Sequence, residues 1–163
     1  MLDQAAIIST VRSIPWFNEL SPKSVQQLAL ITEPISVEQD EVIYAEGSQH
    51  GCLYIILDGR IQIESYVPGH GLLPIHFSEP LDVIGWSSLT PVVRQNPGSA
   101  KAFEYSTLLA FDAEELKQLC ERNKELGYVV MRRLANIVAS SFLNHRLKLI
   151  GLLTPNNHVA SNL

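Results

Sequence analysis

The chain contains few residues whose type and spacing could support catalysis. His70, His76 and Glu79 are the set that would suit a metal ion, because imidazole and carboxylate groups are common metal ligands. Their spacing, with Gly71 and Pro74 in between, does not give two neighbouring ligands on one face of a strand, and no third histidine follows at a suitable distance. A serine nucleophile elbow and a phosphate-binding Gly-x-x-x-x-Gly-Lys run are both missing from the sequence. We therefore predict a protein that is not an enzyme.

Length and composition indicate one globular domain. The chain has 163 residues, of which 46% are hydrophobic and 18% charged, as in ordinary folded proteins. Its net charge of −5 argues against a broad nucleic-acid-binding surface. No apolar run approaches the length of a membrane span, and the acidic amino terminus is unlike a signal peptide. Cys52 and Cys120 lie in apolar patterns, so we expect reduced thiols in a cytoplasmic protein, although the sequence leaves a disulfide open.

The stretch from Asp40 to Ile63 carries the clearest structural signal. Two β-prone runs, 41–45 and 53–57, flank a turn-rich segment, and a third run follows Asp58-Gly59 directly. An Asp-Gly pair between β-branched runs predicts a tight hairpin, because both residues tolerate positive φ. Further short runs reach to residue 112, which predicts a mainly β fold: a double-stranded β-helix or jelly-roll barrel. The predicted strands are 34–37, 41–45, 53–57, 60–66, 72–77, 100–103 and 107–111, and residues 84–90 suit a single helical turn.

Helical periodicity frames this β region on both sides. Apolar positions near the amino terminus repeat at helical spacing until Pro15, and Ser21-Pro22 is a start signal for a second helix. After residue 112 the period returns to 3.6, with a capping pattern at Asp112. We therefore divide the chain into a helical lead-in (1–32), a β-roll (33–112), C-terminal helices (113–150) and a tail (151–163).

The long helix predicted over residues 125–150 has more apolar surface than one roll would cover. It would be about 39 Å long at 1.5 Å per residue, which exceeds the expected width of the domain. We therefore predict a homodimer in which one helix face packs on the roll and another on a second copy. The alternative is a helix that wraps along its own roll with a frayed end. Ser140, Ser141 and Asn144 interrupt a strict heptad, so a strong coiled coil is not expected. The predicted dimer contacts are Val130, Leu134, Ile137, Val138 and Ser141.

A family resemblance begins at Glu46-Gly47. These residues, followed by Leu53-Tyr54-Ile55-Ile56-Leu57-x-Gly59-x-Ile61-x-Ile63, resemble the first half of a cyclic nucleotide-binding domain of the Crp/Fnr (catabolite activator) type. The resemblance extends from about Ile14 to Leu153. It implies a regulatory domain of signal transduction. The last 13 residues (151–163) are too short for a helix-turn-helix domain, so we expect no direct DNA binding from this chain.

The resemblance also implies where a ligand would bind. In the family, a Gly-Glu-x-x-Leu turn offers backbone N–H groups to the cyclic phosphate, its Glu holds the ribose, and an Arg pairs with the phosphate. Here Trp86 stands at the Glu position and Asn96 at the Arg position. Arg94 and Lys101 are the nearest cations, and strand alternation leaves the direction of Lys101 open. The implied ligand-binding residues are Gly85, Trp86, Ser87, Ser88, Leu89, Arg94, Ser99, Ala100 and Lys101.

Three functions fit the sequence. The first is a sensor for a small anionic or nucleotide-like ligand, with Trp86 stacking on a ring and Lys101 or Arg94 as counter-charge. No cofactor is certain, and a cyclic nucleotide or another small anion is the possible ligand. The C-terminal helix would then pass the signal to a partner protein. The second is a degenerate, ligand-free dimeric adaptor in which Trp86 fills the pocket. The third and least favoured is a cupin-type metal enzyme.

Overall fold

The computed structural model describes residues 3–49, 51–90 and 95–153. Two four-stranded antiparallel sheets form a jelly-roll-like β-roll between N-terminal and C-terminal helices, which confirms the predicted fold class. The helices are α1 (Gln4–Ser13), α2 (Pro22–Leu30), α3 (Ala113–Arg122) and α4 (Lys124–Leu153), and short 3-10 helices span Pro15–Phe17 and Trp86–Leu89. The strands are β1 (Thr32–Val37), β2 (Val42–Tyr44), β3 (Cys52–Asp58), β4 (Ile61–Val67), β5 (Gly71–Ser78), β6 (Val83–Ile84), β7 (Ser99–Ala102) and β8 (Ser106–Asp112).

The turn at Asp58-Gly59 connects the two sheets. One sheet has the order β1-β8-β3-β6 and the other β2-β7-β4-β5, so β3 and β4 do not pair and the predicted hairpin is wrong. The turn itself is present: Gly59 has φ 86°, and the Tyr105 carbonyl oxygen lies 2.7 Å from where a Cβ would sit. The chain leaves this turn into the opposite sheet because β3 is already paired with β6 and β8. The nearest true hairpin joins β4 to β5, with Val67 opposite Gly71.

Side chains of β3 and β8 are buried on both faces, which gives the molecule two apolar cores. Tyr54 and Ile56 of β3 point between the two sheets, whereas Leu53 and Ile55 point toward the helices, as alternation along a strand requires. The core between the sheets comprises Val37, Tyr54, Ile56, Ile61, Ile84, Ala100, Ala102, Leu108 and Ala110. The second core, called the helical core below, joins one sheet to α1, α2, α3 and the first half of α4.

Helix caps fix the ends of the helices around the roll. The Asp112 carboxylate accepts a hydrogen bond from the Glu115 N–H at 2.8 Å, which is the capping arrangement predicted for α3. The Ser21 hydroxyl likewise accepts from the Ser24 N–H at the start of α2. Where α3 meets α4, Gly127 lies so close to the Cys120 backbone that a Cβ would be 2.6 Å from its carbonyl oxygen. The two helices therefore cross tightly, and this crossing sets the direction of α4.

The first half of α4 packs into its own chain. Val130 is 7% exposed and Leu134 is 8% exposed, and both belong to the helical core. This corrects their prediction as dimer contacts, because a side chain already buried in its own domain presents no surface to a second copy. Ile137 packs partly against the same core. Val138 is 37% exposed and remains accessible to a second copy, whereas Ser141 is half-buried and lines a groove between α4 and the roll.

Candidate functional site

Gly85 and the 3-10 helix Trp86–Leu89, together called the cradle below, follow directly after β6. Gly85 has φ 73°, a left-handed conformation that glycine adopts without strain. Its N–H donates a hydrogen bond to the Tyr44 hydroxyl at 3.1 Å. Burial raises the pKa of Tyr44 to about 12, so the phenol is neutral at physiological pH. A backbone donor of the cradle is thus already bound by a side chain of β2.

Asn96, predicted above to stand at the Arg position of the family motif, is buried beside the cradle. Its Oδ1 accepts a hydrogen bond from the Ser87 hydroxyl at 2.9 Å, and its Nδ2 donates to the Ser48 hydroxyl at 3.2 Å. Its backbone N–H donates to the Ser48 carbonyl at 3.0 Å, and its carbonyl accepts from the Gly47 N–H at 2.9 Å. Asn96 therefore joins the cradle to the turn at residues 47–48, which is far away in sequence. A buried polar side chain with this many partners fixes the cradle in place.

The side chain of Lys101, on β7, does not point toward the cradle. Ala100 and Ala102 point into the core between the sheets, so Lys101 between them faces outward. Its ammonium group lies 3.3 Å from the Asp40 carboxylate and 3.6 Å from that of Glu64. The structure thus answers the question left open by strand alternation: Lys101 is paired on the outer surface.

The remaining predicted ligand contacts separate into several environments. Ser99 is buried, and its hydroxyl accepts a hydrogen bond from the Glu46 N–H at 2.9 Å. The Ser88 hydroxyl donates to the Gly85 carbonyl, and Leu89 lies in the helical core. Trp86 packs partly buried against the same core and does not join the polar network of Asn96. Arg94 lies outside the described residues.

The cradle therefore combines neutral hydrogen-bonding groups. Hydroxyl, amide and phenol groups surround it, and Lys101, one of the cations predicted for it, is paired with Asp40 instead. Tyr44 and Ser48 were not anticipated from the sequence. Residues 44 and 48 approach residues 85 and 96 through β2–β7 pairing and loop contacts, and no local pattern encodes such a contact.

A stripe of exposed residues on α4, called the seam below, is the second candidate feature. Its members recur at alternating spacings of three and four residues, the repeat that coiled coils use. Tyr128 is 66% exposed and Phe142 is 70% exposed, although both are large aromatic side chains. The seam consists of Tyr128, Met131, Ala135, Val138, Phe142, His145 and Leu149.

Comparison with known families identifies this architecture. The family model of the cyclic nucleotide-binding domain matches residues 34–123, which is more than half of the chain. The chain belongs to the cyclic nucleotide-binding domain family. The matched region runs from β1 through α3 and includes the cradle, Asn96 and β7. No curated protein matches the sequence.

Solved structures share the fold of this cyclic nucleotide-binding domain. A candidate cyclic nucleotide-binding protein from Geobacter metallireducens is 24% identical with a TM-score of 0.72, and the match covers 86% of this chain and 98% of that one. A cyclic nucleotide-binding domain from Methylobacillus flagellatus is 21% identical with a TM-score of 0.76, over 91% and 83% of the two chains. The catabolite activator protein of Thermus thermophilus is 22% identical with a TM-score of 0.67, over 82% of this chain and 62% of that one.

Two further properties bear on the function of the domain. In the described part of the chain, no helix is both long and apolar enough to cross a membrane. Among the same residues, His, Cys, Asp and Glu side chains form no group of three or more that could hold a metal ion. His70 and His76, considered above as metal ligands, belong to no such group.

Proposed function

We propose that this cyclic nucleotide-binding domain is a non-enzymatic regulatory module that forms a homodimer through α4 and transmits the state of its roll along that helix. The observation that carries the proposal is the seam. Apart from His145, whose ring packs against His76 of β5, it lies on the side of α4 opposite to Leu126, Val130 and Leu134, which pack into the helical core. Each side of the helix therefore has its own apolar contact surface, one for the roll and one for a second copy.

The exposure of the seam supports this assembly. Phe142 is 70% exposed and Leu149 is 57% exposed in the single chain. Large contiguous apolar surfaces of this kind mark interaction sites in soluble proteins. Two seams packed in parallel would bury these side chains against their equivalents, as in a two-stranded coiled coil. Ser140 and Asn144 do not interrupt this repeat, because both line the groove between α4 and the roll.

For the ligand, we propose a small anionic or ring-bearing molecule other than an ordinary cyclic nucleotide. The two positions that select ribose and cyclic phosphate in the family carry Trp86 and Asn96. Asn96 is also held by Ser87 and Ser48. An arginine would supply a bidentate, charge-assisted contact to phosphate that an amide already engaged with two serines does not replace.

Sedimentation of matched variants tests the dimer. Phe142→Glu places a charge in the seam, and Leu143→Glu places the same charge one residue away, at a site that is 51% exposed but outside the seam. We expect the wild-type chain and Leu143→Glu to sediment as dimers and Phe142→Glu as a folded monomer. A wild-type chain that sediments as a monomer, or equal effects of the two variants, would contradict the proposal.

A second candidate function is a ligand-free adaptor of the same fold. The closed network of Asn96, Ser87 and Ser48 favours it, because a cradle whose polar groups already bind one another needs no ligand to be stable. This adaptor would also be a dimer through the seam. A thermal-shift panel of cyclic nucleotides, nucleotides and aromatic acids distinguishes the two functions: the sensor is stabilised by one ligand class, the adaptor by none.

A further inference from the structure

The far half of α4, residues 138–150, is only loosely attached to the roll. Leu134 is the last buried residue within the described part of this helix, so the later turns have left the helical core. Between them and the roll lies a groove of about 690 Å³, whose lining includes Trp16, Trp86 and Arg133. Segments with few buried apolar contacts are the ones that open most readily in a folded protein. The position of the far half therefore depends on a few polar and ring contacts.

Two contacts attach the far half of α4 to β5. The Lys148 ammonium group donates a hydrogen bond to the Ile75 carbonyl at 2.9 Å. One turn earlier on the helix, the His145 ring meets the His76 ring edge to face, with 6.2 Å between the ring centroids. The Nδ1 of His145 donates to the Ser141 carbonyl at 2.7 Å, which orients this ring. Ile75, His76, His145 and Lys148 thus form one contact, called the clasp below.

The clasp brings together groups that are positive or become positive in acid. Lys148 carries its charge at physiological pH, and an imidazole gains one as the pH falls through about 6.5. Two protonated rings at the observed separation would repel each other and the ammonium group. Burial lowers the pKa of His76, and the charges of Lys148 and His145 lower it further. A proton on His76 is therefore unfavourable while the clasp is closed.

The negative charge around the clasp does not balance this. Asp82 is the single carboxylate among the described residues that line the groove, and it opposes the lowering of the His76 pKa without reversing it. The other charged side chains of β4, of the turn after β5 and of the groove are paired elsewhere: Glu64 with Lys101, Glu79 with Arg60, and Arg133 with Glu19. Protonation thus leaves an excess of positive charge between α4 and β5.

We propose that the clasp makes this domain a proton sensor: protonation of His76 and His145 separates the far half of α4 from β5. The closed clasp binds these protons less readily than the open one, so it is favoured above about pH 6.5 and loses this advantage as the pH falls below that value. All the groups belong to one chain. The inference therefore goes beyond the proposed function and holds for a monomer as well as for a dimer.

Two local measurements on the full chain at pH 7 and pH 5 test the clasp. The ring protons of His76 and His145 should give a nuclear Overhauser effect at pH 7 that is lost at pH 5. Hydrogen–deuterium exchange, corrected for the intrinsic rate at each pH, should become about threefold or more faster for amides 138–150 in acid. Amides 126–134, in the first half of α4, should stay protected, because that half packs in the helical core.

Variants that keep a ring but cannot take a proton identify the groups. His76→Phe should lessen the acceleration in acid, and so should His145→Phe, which changes an exposed position and serves if His76→Phe does not fold. His70→Phe is the matched control, because His70 is exposed and does not line the groove; it should behave as the wild type. Asp82→Asn should open the clasp at a higher pH, because it removes the opposing carboxylate.

Three results would overturn the inference. The first is equal protection of amides 138–150 at pH 7 and pH 5 in the wild-type chain. The second is an equal loss of protection in amides 126–134, which would mean that acid unfolds the whole domain. The third is an acceleration that both His76→Phe and His145→Phe retain in full, or that His70→Phe lessens as much as they do. Backbone spectra of each variant verify that it is folded.

Discussion

The Oδ1 of Asn96 accepts a hydrogen bond from the Ser87 hydroxyl at 2.9 Å, which ties the segment before β7 to the cradle. Asn96 is 3% exposed and Ser87 is 5% exposed, so this contact is sealed from water. The Asn96 side chain is therefore part of the internal structure of the domain. Its role is to hold the cradle against the 46–48 loop.

Asn96→Ala should destabilise the domain by about 1–3 kcal/mol, because it leaves the buried Ser87 hydroxyl without its acceptor. Urea unfolding followed by tryptophan fluorescence measures the change. Asn18→Ala is the control, since Asn18 is exposed and should change the stability by less than about 0.5 kcal/mol. Equal stability of the two variants would show that the network does not hold the cradle.

Cyclic AMP at 1 mM should leave the melting temperature almost unchanged. A dissociation constant weaker than about 1 mM corresponds to less than about 0.4 kcal/mol of stabilisation at this concentration. The physical reason is that Trp86 cannot hold a ribose hydroxyl as a carboxylate does, and Asn96 carries no charge. Differential scanning fluorimetry with adenosine as the uncharged control checks this. A rise of several degrees with cyclic AMP alone would mean that the cradle retains the family's ligand.

Leu134→Ala should destabilise the chain by about 2–5 kcal/mol, because Leu134 belongs to the helical core and its removal leaves a cavity. Leu143→Ala, at an exposed position of the same helix, should have a much smaller effect. Chemical unfolding of both variants gives the comparison. Dissociation of the dimer by Leu134→Ala without loss of stability would restore Leu134 to the dimer interface.

The pH dependence of stability should contain a contribution from His76. Burial lowers its pKa, and the nearby Lys148 and His145 lower it further, while Asp82 opposes them. The folded state thus binds a proton at His76 less readily than the unfolded state, whose pKa is about 6.5. The contribution of His76 to the free energy of unfolding is therefore fully present above pH 6.5 and is lost as the pH falls below that value.

His76→Asn should therefore show a smaller loss of stability between pH 7 and pH 5 than the wild type. His70→Asn, which changes an exposed histidine of the same region, should keep the wild-type slope. Urea midpoints across this range provide the measurement. An unchanged slope in His76→Asn would assign the pH dependence to other groups.

Much of the fold was predictable because its signals are local. Short β-branched runs separated by turns gave the strand positions, and the return to a 3.6-residue period located α3 and α4. The helix cap at Asp112 was also predictable from the sequence, since its partner Glu115 is three residues away. Such features depend on contacts within a few residues, and the order of residue types is enough to encode them.

The tertiary structure decided which elements meet. Asp58-Gly59 formed its turn but not its hairpin, because the pairing of β3 with β8 involves residues about 50 positions further along the chain. Lys101 faces outward because its neighbours Ala100 and Ala102 fill the core between the sheets. Val130 and Leu134 face the roll because the α3–α4 crossing at Gly127 sets the direction of α4.

The same distinction, between local signals and tertiary contacts, applies to the candidate sites. The sequence by itself predicted the family and the helical turn of the cradle, and both are confirmed. That Trp86 and Asn96 stand at the family's two binding positions stays a prediction. The sequence did not determine that Asn96 binds Ser48, or that Trp16, Trp86 and Arg133 border one groove. Those relationships join segments from 47 to 117 residues apart, and only the tertiary packing brings them together.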